Sequence, residues 1–316
     1  MILLTGGSGF VGRALQAALK KQGRSFRVSL RKVQDVDLAD TTNVIQCALS
    51  PDADWSAALS GVTTVVHCAA RVHVMKEDAS VDPLTEFRRI NVEGTLRLAR
   101  QAAQAGVKRF VFVSSIKVNG ELTPKDLPFT PEQAPSPADP YGMSKWEAEE
   151  ALMALSAETG MEVVMVRPPL VYGPGVKANF ALLMNAVRRG WILPLGAIDN
   201  KRSLIGIDNL IDFLIRCIDH PNAANQIFLV SDGQDLSTSE LVRCMGRVAG
   251  LRARLVTIPV WMLQIGATLL GKKDMFQRLC GNLQVDISKA RTMLAWTPSI
   301  SVSEGLKRAM AHEADF

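Results

Sequence analysis

The stretch Met1-Ile-Leu-Leu-Thr-Gly-Gly-Ser-Gly-Phe-Val-Gly12 decides how the rest of the chain is read. Residues 1–4 are apolar and read as a strand, and residues 10–22 read as a helix ended by Gly23. Between them Gly6, Gly9 and Gly12 form G-x-x-G-x-x-G at the first strand-to-helix crossover. Glycine supplies the backbone angles of such a turn. A side chain at the middle position would keep an anion from the helix N-terminus, where free N–H groups and the helix dipole favour negative charge. A turn of this kind holds a dinucleotide pyrophosphate, with Phe10 and Val11 on the same first helical turn. A tight strand–helix turn with no ligand would use glycine in the same way.

Outward from this turn, short apolar runs alternate with helical segments. Strands are expected at 26–30, 63–68, 109–113 and 162–166, and helices at 87–104 and 141–159. Near-continuous apolar strands alternating with helices predict a parallel sheet covered on both faces, with right-handed crossovers. From Pro168 the alternation weakens; residues 204–218 and 226–230 return to the sheet. The expected fold class is α/β, a Rossmann doubly wound parallel sheet with a smaller C-terminal substrate-binding lobe. Residues 1–167 plus 204–231 make the first part, and 168–203 plus 232–316 the lobe. The segment 124–140 holds six prolines and is expected to be an ordered loop.

The bulk chemistry is ordinary. The 316 residues are 47% hydrophobic and 21% charged, with net charge +5, and the basic residues are scattered. A nucleotide ligand is compatible with that balance, and nucleic acid is not required. Five cysteines without CxxC or histidine spacing argue for no metal and no disulfide framework, and fit a reducing cytoplasm. The first residues read as a strand rather than a signal peptide. The apolar run 260–270 is too short to span a bilayer, which needs ~20 residues, and is expected to be a buried or amphipathic helix whose Met and Leu belong to the core.

The second strand ends in Arg31-Lys32, and the next acid is Asp35. An acidic residue there would bind the adenosine ribose of NAD, whereas an arginine accommodates a 2′-phosphate. This favours NADP(H); NAD(H) stays open, as does a plain surface role for Arg31. Tyr141-Gly-Met-Ser-Lys145 places a phenol and an ammonium four residues apart on one helical face. The cation is expected to bring the phenol toward the working pH range. Val111-Phe-Val-Ser-Ser115 ends a strand in two serines, at the sheet edge where ligands bind. His67 and His73 read as structural or substrate-lining, Trp191 as packing or as stacking on a base, and Asp208 as a hydrogen-bonding residue at a helix start.

Together these pieces resemble the extended short-chain dehydrogenase/reductase family, the NAD(P)-dependent epimerases, dehydratases and reductases of nucleotide sugars. Val66-His-Cys-Ala-Ala70, Asn91-Val-Glu-Gly-Thr95, Arg167-Pro-Pro-Leu-Val-Tyr-Gly-Pro174 and Ile207-Asp-Asn-Leu210 extend the likeness over nearly the whole chain. The resemblance implies Ser115, Tyr141 and Lys145 as the catalytic set, Ala69 and Ala70 lining the cofactor, and Pro168 facing the nicotinamide. It also implies Asn179 and Arg202 at the nucleotide diphosphate, and a homodimer through the helices at 87–104 and 141–159. Lys117, Asn119 and Arg71 could touch sugar or phosphate, or be surface residues. Within the family, Ser114-Ser-Ile-Lys-Val-Asn-Gly120, Val176-Lys-Ala-Asn-Phe180 and Asn200-Lys-Arg-Ser-Leu204 are most similar to the 4-keto reductases that form UDP-N-acetylquinovosamine. Leu170 stands where many epimerases carry Asn, and Ile116-Lys117 stands where dehydratases place acids. The implied activity is NAD(P)H-dependent reduction of a UDP-4-keto-6-deoxy-N-acetylhexosamine. The alternatives are a UDP-glucose or UDP-N-acetylglucosamine 4-epimerase with tightly bound NAD, and a reductase of small non-nucleotide carbonyl compounds. A non-catalytic nucleotide sensor runs against the intact Ser-Tyr-Lys set. No membrane span is expected.

Overall fold

The computed structural model describes residues 1–31, 43–72 and 82–311, the side chain of Asp274 apart; Lys32, Asp35 and His73 lie outside the described residues. Eleven strands occur in that span: β1 (Ile2–Thr5), β2 (Phe26–Leu30), β3 (Val44–Gln46), β4 (Thr64–His67), β5 (Arg109–Val113), β6 (Glu162–Arg167), β7 (Leu170–Tyr172), β8 (Ile192–Leu193), β9 (Leu204–Gly206), β10 (Gln226–Leu229) and β11 (Arg254–Leu255). Seven form one sheet in the order β10-β6-β5-β4-β1-β2-β3, every neighbouring pair parallel. The chain thus winds one way from β1 and the other way from β4, which makes the gap between them the topological switch point. This is the doubly wound Rossmann sheet expected. Short parallel pairs β7–β9 and β8–β11 lie outside it.

Side-chain alternation along the strands builds a core on each face. Leu4, Val66, Val111, Val164 and Val166 point to one face, with Leu15, Leu19, Phe213, Leu214 and Trp296. Leu3, Val65, Phe110, Phe112 and Met165 point to the other, with Trp55, Leu98 and Leu152. A third core joins Tyr172, Phe180, Met184, Leu236, Val242, Met245 and Leu306.

Local signals explain where the helices begin. Asp139 Oδ1 accepts from Gly142 N at 2.6 Å and Pro140 takes the first position, so one helix runs Pro140–Thr159 and stops at Gly160 with φ +74°. The helical run expected to start at 87 starts earlier, at Pro83–Phe87, because Asp82 caps it through Thr85 N. It passes through a π-helical stretch, Arg88–Gly94, into the α-helix Thr95–Gln104. The proline-rich segment is ordered by pairing with a distant one: Phe129 bridges Val285, Thr123 N donates to Asn282 O and Asp286 N to Phe129 O.

Two expectations are corrected. The helix Val260–Leu269 holds no buried residue, although its Met and Leu were expected in the core. Only Leu263 packs, partly buried, against the third core, while Trp261 is 62% and Leu269 82% exposed. Trp191 does not pack inward either; it is 56% exposed, with the Arg189 guanidinium 5.7 Å above its ring. Asp208, in the first turn of the helix Ile207–Asp219, makes a hydrogen bond at the helix start as expected, accepting from Arg308 Nη1 at 2.9 Å. All five cysteines are free thiols. Among the described residues no helix is long and apolar enough to cross a membrane, and no His/Cys/Asp/Glu group could hold a metal.

Candidate active site

The glycine turn divides its labour. Gly6 sits at φ +73°, and a Cβ there would lie 2.6 Å from Ala69 N. A Cβ at Gly12 would lie 2.1 Å from Gly6 O, and one at Gly7 2.2 Å from Val28 Cγ1. These three let the turn close on itself, on β2 and on the end of β4. At Gly9 the only neighbour is Gly6 O at 3.2 Å, and the residue is exposed. Gly9 therefore keeps open the space over the helix Phe10–Lys21, whose N-terminus has no side-chain cap. Its first N–H groups, at Phe10, Val11 and Gly12, lack helical partners by geometry. That cradle fits a dinucleotide pyrophosphate. The spacing pattern did not flag Gly7, because its need arises from β2 packed beside it.

Ala69 and Ala70 follow β4 directly and are half-buried; Ala69 N donates to Thr5 Oγ1 at 3.4 Å. Pro168 follows β6, buried, and its carbonyl accepts from Ile116 N at 3.0 Å. Ser115 follows β5 and starts a 3-10 turn, its Oγ accepting from Lys117 N at 3.3 Å. The C-terminal edges of β1, β4, β5 and β6 thus bring together the glycine turn, the alanine pair, Ser115 and Pro168. Arg31 is exposed at the tip of β2, with no ion pair among the described residues.

Tyr141 and Lys145 come from the helix Pro140–Thr159, seated on the turn after Ser115. Gly142 permits the contact: a Cβ there would lie 2.8 Å from Lys117 O. Lys117 is ion-paired with Asp139, the helix cap, and with Glu121 at 3.6 Å. Lys145 is 1% exposed, its Nζ 3.9 Å from the centroid of Phe112, with no hydrogen bond among the described residues. Burial pulls its pKa down to about 7, against the opposing charge of Glu149. The expected lowering of the Tyr141 pKa is not found. Burial first, then the Asp139 carboxylate, hold the phenol above its ordinary value, so it keeps its proton.

A buried network fixes this helix. Glu149, one turn past Lys145, takes Arg167 Nε at 3.0 and 3.1 Å, and Arg167 Nη1 donates to Asn119 Oδ1 at 2.9 Å. Asn119 is 1% exposed and takes part in this network. Asn91 was not singled out by role, yet its side chain holds both the N–H and the carbonyl of Arg71, at 2.7 and 3.0 Å, and donates to Ser144 Oγ. The Arg71 Nε and the Ser114 Oγ are buried without a partner among the described residues. His67 is fully buried between Thr5 and Thr95, at 2.6 and 3.0 Å, a structural role.

The diphosphate candidates come from elements outside the seven-stranded sheet. Asn179 is exposed in the first turn of the helix Ala178–Arg188. Arg202 is half-buried and donates to Gly281 O at 3.1 Å. Burial and the neighbouring Arg278 pull its pKa down. Among the described residues neither arginine has a carboxylate partner, so the pair would be relieved by an anion. Arg278 was missed because its helix, Lys273–Cys280, carries no motif.

A parallel sheet with a glycine turn, a Ser-Tyr-Lys set and a paired-arginine lobe defines a nucleotide-dependent oxidoreductase class. The comparisons agree: residues 2–231 match the model of the NAD dependent epimerase/dehydratase family, and the chain belongs to that family. A "UDP-glucose 4-epimerase" of Vibrio cholerae is 47% identical, covering 97% of this chain and 93% of that protein. The structure of MoeE5 with UDP-glucuronic acid and NAD superposes with a TM-score of 0.77 at 25% identity, covering 98% and 97%. That of a UDP-glucose 4-epimerase from Thermotoga maritima with UDP-glucose gives 0.76 at 22%, covering 98% and 97%, a likeness of fold.

Proposed function

We propose that the chain is a 4-epimerase of a UDP-linked hexose or N-acetylhexosamine that keeps a nicotinamide dinucleotide bound through turnover. What carries this reading is the gathering of the glycine turn, Ser115, Tyr141 and Lys145 on one sheet edge, in a chain so similar along its length to a UDP-glucose 4-epimerase. When bound, the dinucleotide supplies a carrier for the hydride of the sugar C4. The residues that would hold it are Gly6, Gly9, Phe10, Val11 and Gly12 at the pyrophosphate, Ala69 and Ala70 along its side, Lys145 at the ribose and Pro168 at the nicotinamide. NAD is the better candidate than NADP, given the NAD in the MoeE5 structure.

Tyr141 moves the proton at the sugar O4, and Ser115 hydrogen-bonds the same oxygen. The protonated phenol suits the half-reaction that returns a proton to the forming alkoxide. The reverse half needs that oxygen deprotonated, and a charged Lys145 is the chain's own group for stabilising it. Arg202, Arg278 and Asn179 would take the diphosphate. Residues 168–203 and 232–316 would act as the substrate lobe of a homodimer packed through the helices at 87–104 and 140–159.

A second reading, reduction of a UDP-4-keto-6-deoxy-N-acetylhexosamine, is favoured by Leu170, 41% exposed, and by the solvent-facing Arg31. One experiment separates the two. Purified protein without added cofactor is mixed with UDP-glucose, then with UDP-N-acetylglucosamine, and the products are read by NMR. Formation of the galacto epimer, with NAD(H) released on denaturation, supports the epimerase. Failure of both, with NADPH oxidised in proportion to added 4-keto sugar, replaces it by the reductase.

A further inference from the structure

We infer that the helix Val260–Leu269 and its flanks form a docking surface for an anionic phospholipid bilayer, lying on the membrane rather than crossing it. The inference does not depend on the sugar chemistry. It begins from the absence of any buried residue in a helix that is apolar almost throughout. At 100° per residue, Leu263, Gly266 and Ala267 share the inward side, and all three are half-buried. Trp261, Met262, Ile265 and Leu269 fall on the opposite side, exposed by 62%, 49%, 52% and 82%, and Leu270 follows at 72%. The helix thus turns its larger apolar side chains outward.

The apolar surface continues beyond the helix. β11 pairs with β8, placing Val256, 46% exposed, beside the strand that carries Ile192, 65% exposed, and follows Trp191. Apolar surface on this scale marks an interaction site. Among the described side chains at its edges, cations stand out. Arg252 and Arg254 are exposed at one end, Lys272 and Lys273 at the other, and Arg189 lies over Trp191. From residue 251 to 273 the sequence contains no acid at all. Arg252 and Arg254 also line a cleft of about 450 Å³ with Val187, Gly190 and Leu251, where a headgroup phosphate could seat.

That charge pattern selects the occupant. Two copies meeting about a two-fold axis would press the same cations against one another, which costs affinity. An anionic bilayer offers the opposite sign to the cations and an apolar layer to the tryptophan-bearing face. Ten residues cannot span the hydrocarbon, so the helix would lie in the interface.

The test is flotation of the full chain with vesicles of phosphatidylcholine alone, and of equal parts phosphatidylcholine and phosphatidylglycerol. The wild type is expected to float with the mixed vesicles, to stay behind with the neutral ones, and to be released by high salt. Trp261→Ser/Ile265→Ser/Leu269→Ser and, separately, Lys272→Glu/Lys273→Glu should each weaken binding by about tenfold or more. Both variants change exposed side chains, so circular dichroism and the melting midpoint should stay as in the wild type. The inference is overturned if the wild type fails to float with anionic vesicles, or if the triple variant still floats. It is also overturned if light scattering shows a wild-type oligomer that the triple variant disperses while neither binds vesicles.

Discussion

At the scale of single residues, the buried titratable groups around the site set how the protein responds to pH. His67 is forced neutral by burial and by the Lys145 charge, its pKa lowered from an ordinary 6.5 to about 3. The native state therefore refuses a proton that the unfolded chain accepts. Its contribution is unchanged above pH 6.5, and stability falls as pH drops from 6.5 toward 3, at about 1.4 kcal/mol per pH unit for this one proton. In His67→Gln that part of the acid slope should vanish from denaturant titrations, whatever the substitution does at neutral pH. Tyr141→Phe removes only the hydroxyl; epimer formation should drop by about 10²-fold or more, with dinucleotide content unchanged. The Tyr-x-x-x-Lys spacing and the serines at a strand end were legible, because both rest on local periodicity. The direction of the Tyr141 shift was not. It depends on burial and on how near Asp139 comes once the helix is capped, and neither is encoded in spacing.

Secondary-structure elements reach the site through two contacts that a motif cannot express. Gly142 is a helix residue next to the reacting phenol, where alanine normally adds stability. Here a methyl group would meet Lys117 O at 2.8 Å, so Gly142→Ala should lower both the melting temperature and kcat, by prising the helix off the turn after Ser115. Glu149 and Arg167, each about 3% exposed, bind that helix to the end of β6. Glu149→Ala leaves a buried guanidinium unpaired and should cost about 3–5 kcal/mol, read from chemical denaturation. Asn119 shows the limit of sequence reading at this scale: it could be a sugar or phosphate contact or a surface residue, and only the fold reveals that it is buried with Arg167 behind it. The helix Val260–Leu269 shows the same limit in reverse. Its composition is what a core helix would have, and hydrophobicity alone does not say which surface covers it.

Across the whole molecule, the parallel sheet covered on both faces followed from the alternation of apolar strands with helices. The joining of the far C-terminal segment to the proline-rich loop did not follow, since pairing between residues so distant leaves no periodic trace. Gln284 is the centre of that join: its N–H donates to Thr123 Oγ1 at 3.2 Å, its Oε1 accepts from Asp126 N at 2.9 Å, and its Nε2 donates to Asp235 at 2.7 Å. Leu283 is bridged to Arg202, its N–H donating to Lys201 O and its carbonyl accepting from Ser203 N. One extended stretch therefore ties the loop after Ser115 to the proposed diphosphate arginine. Gln284→Ala should cost about 1–3 kcal/mol and raise KM for the nucleotide sugar more than it lowers kcat, as steady-state kinetics would record. The same stitch governs how the protein is made. Chains fold from the N-terminus as they are synthesised, so on the ribosome the sheet has its strands long before residues 282–286 exist. A nascent chain arrested anywhere short of that stretch carries its Ser-Tyr-Lys residues beside a loop with nothing to lie against, and the enzyme becomes whole only once residues 282–286 have left the ribosome.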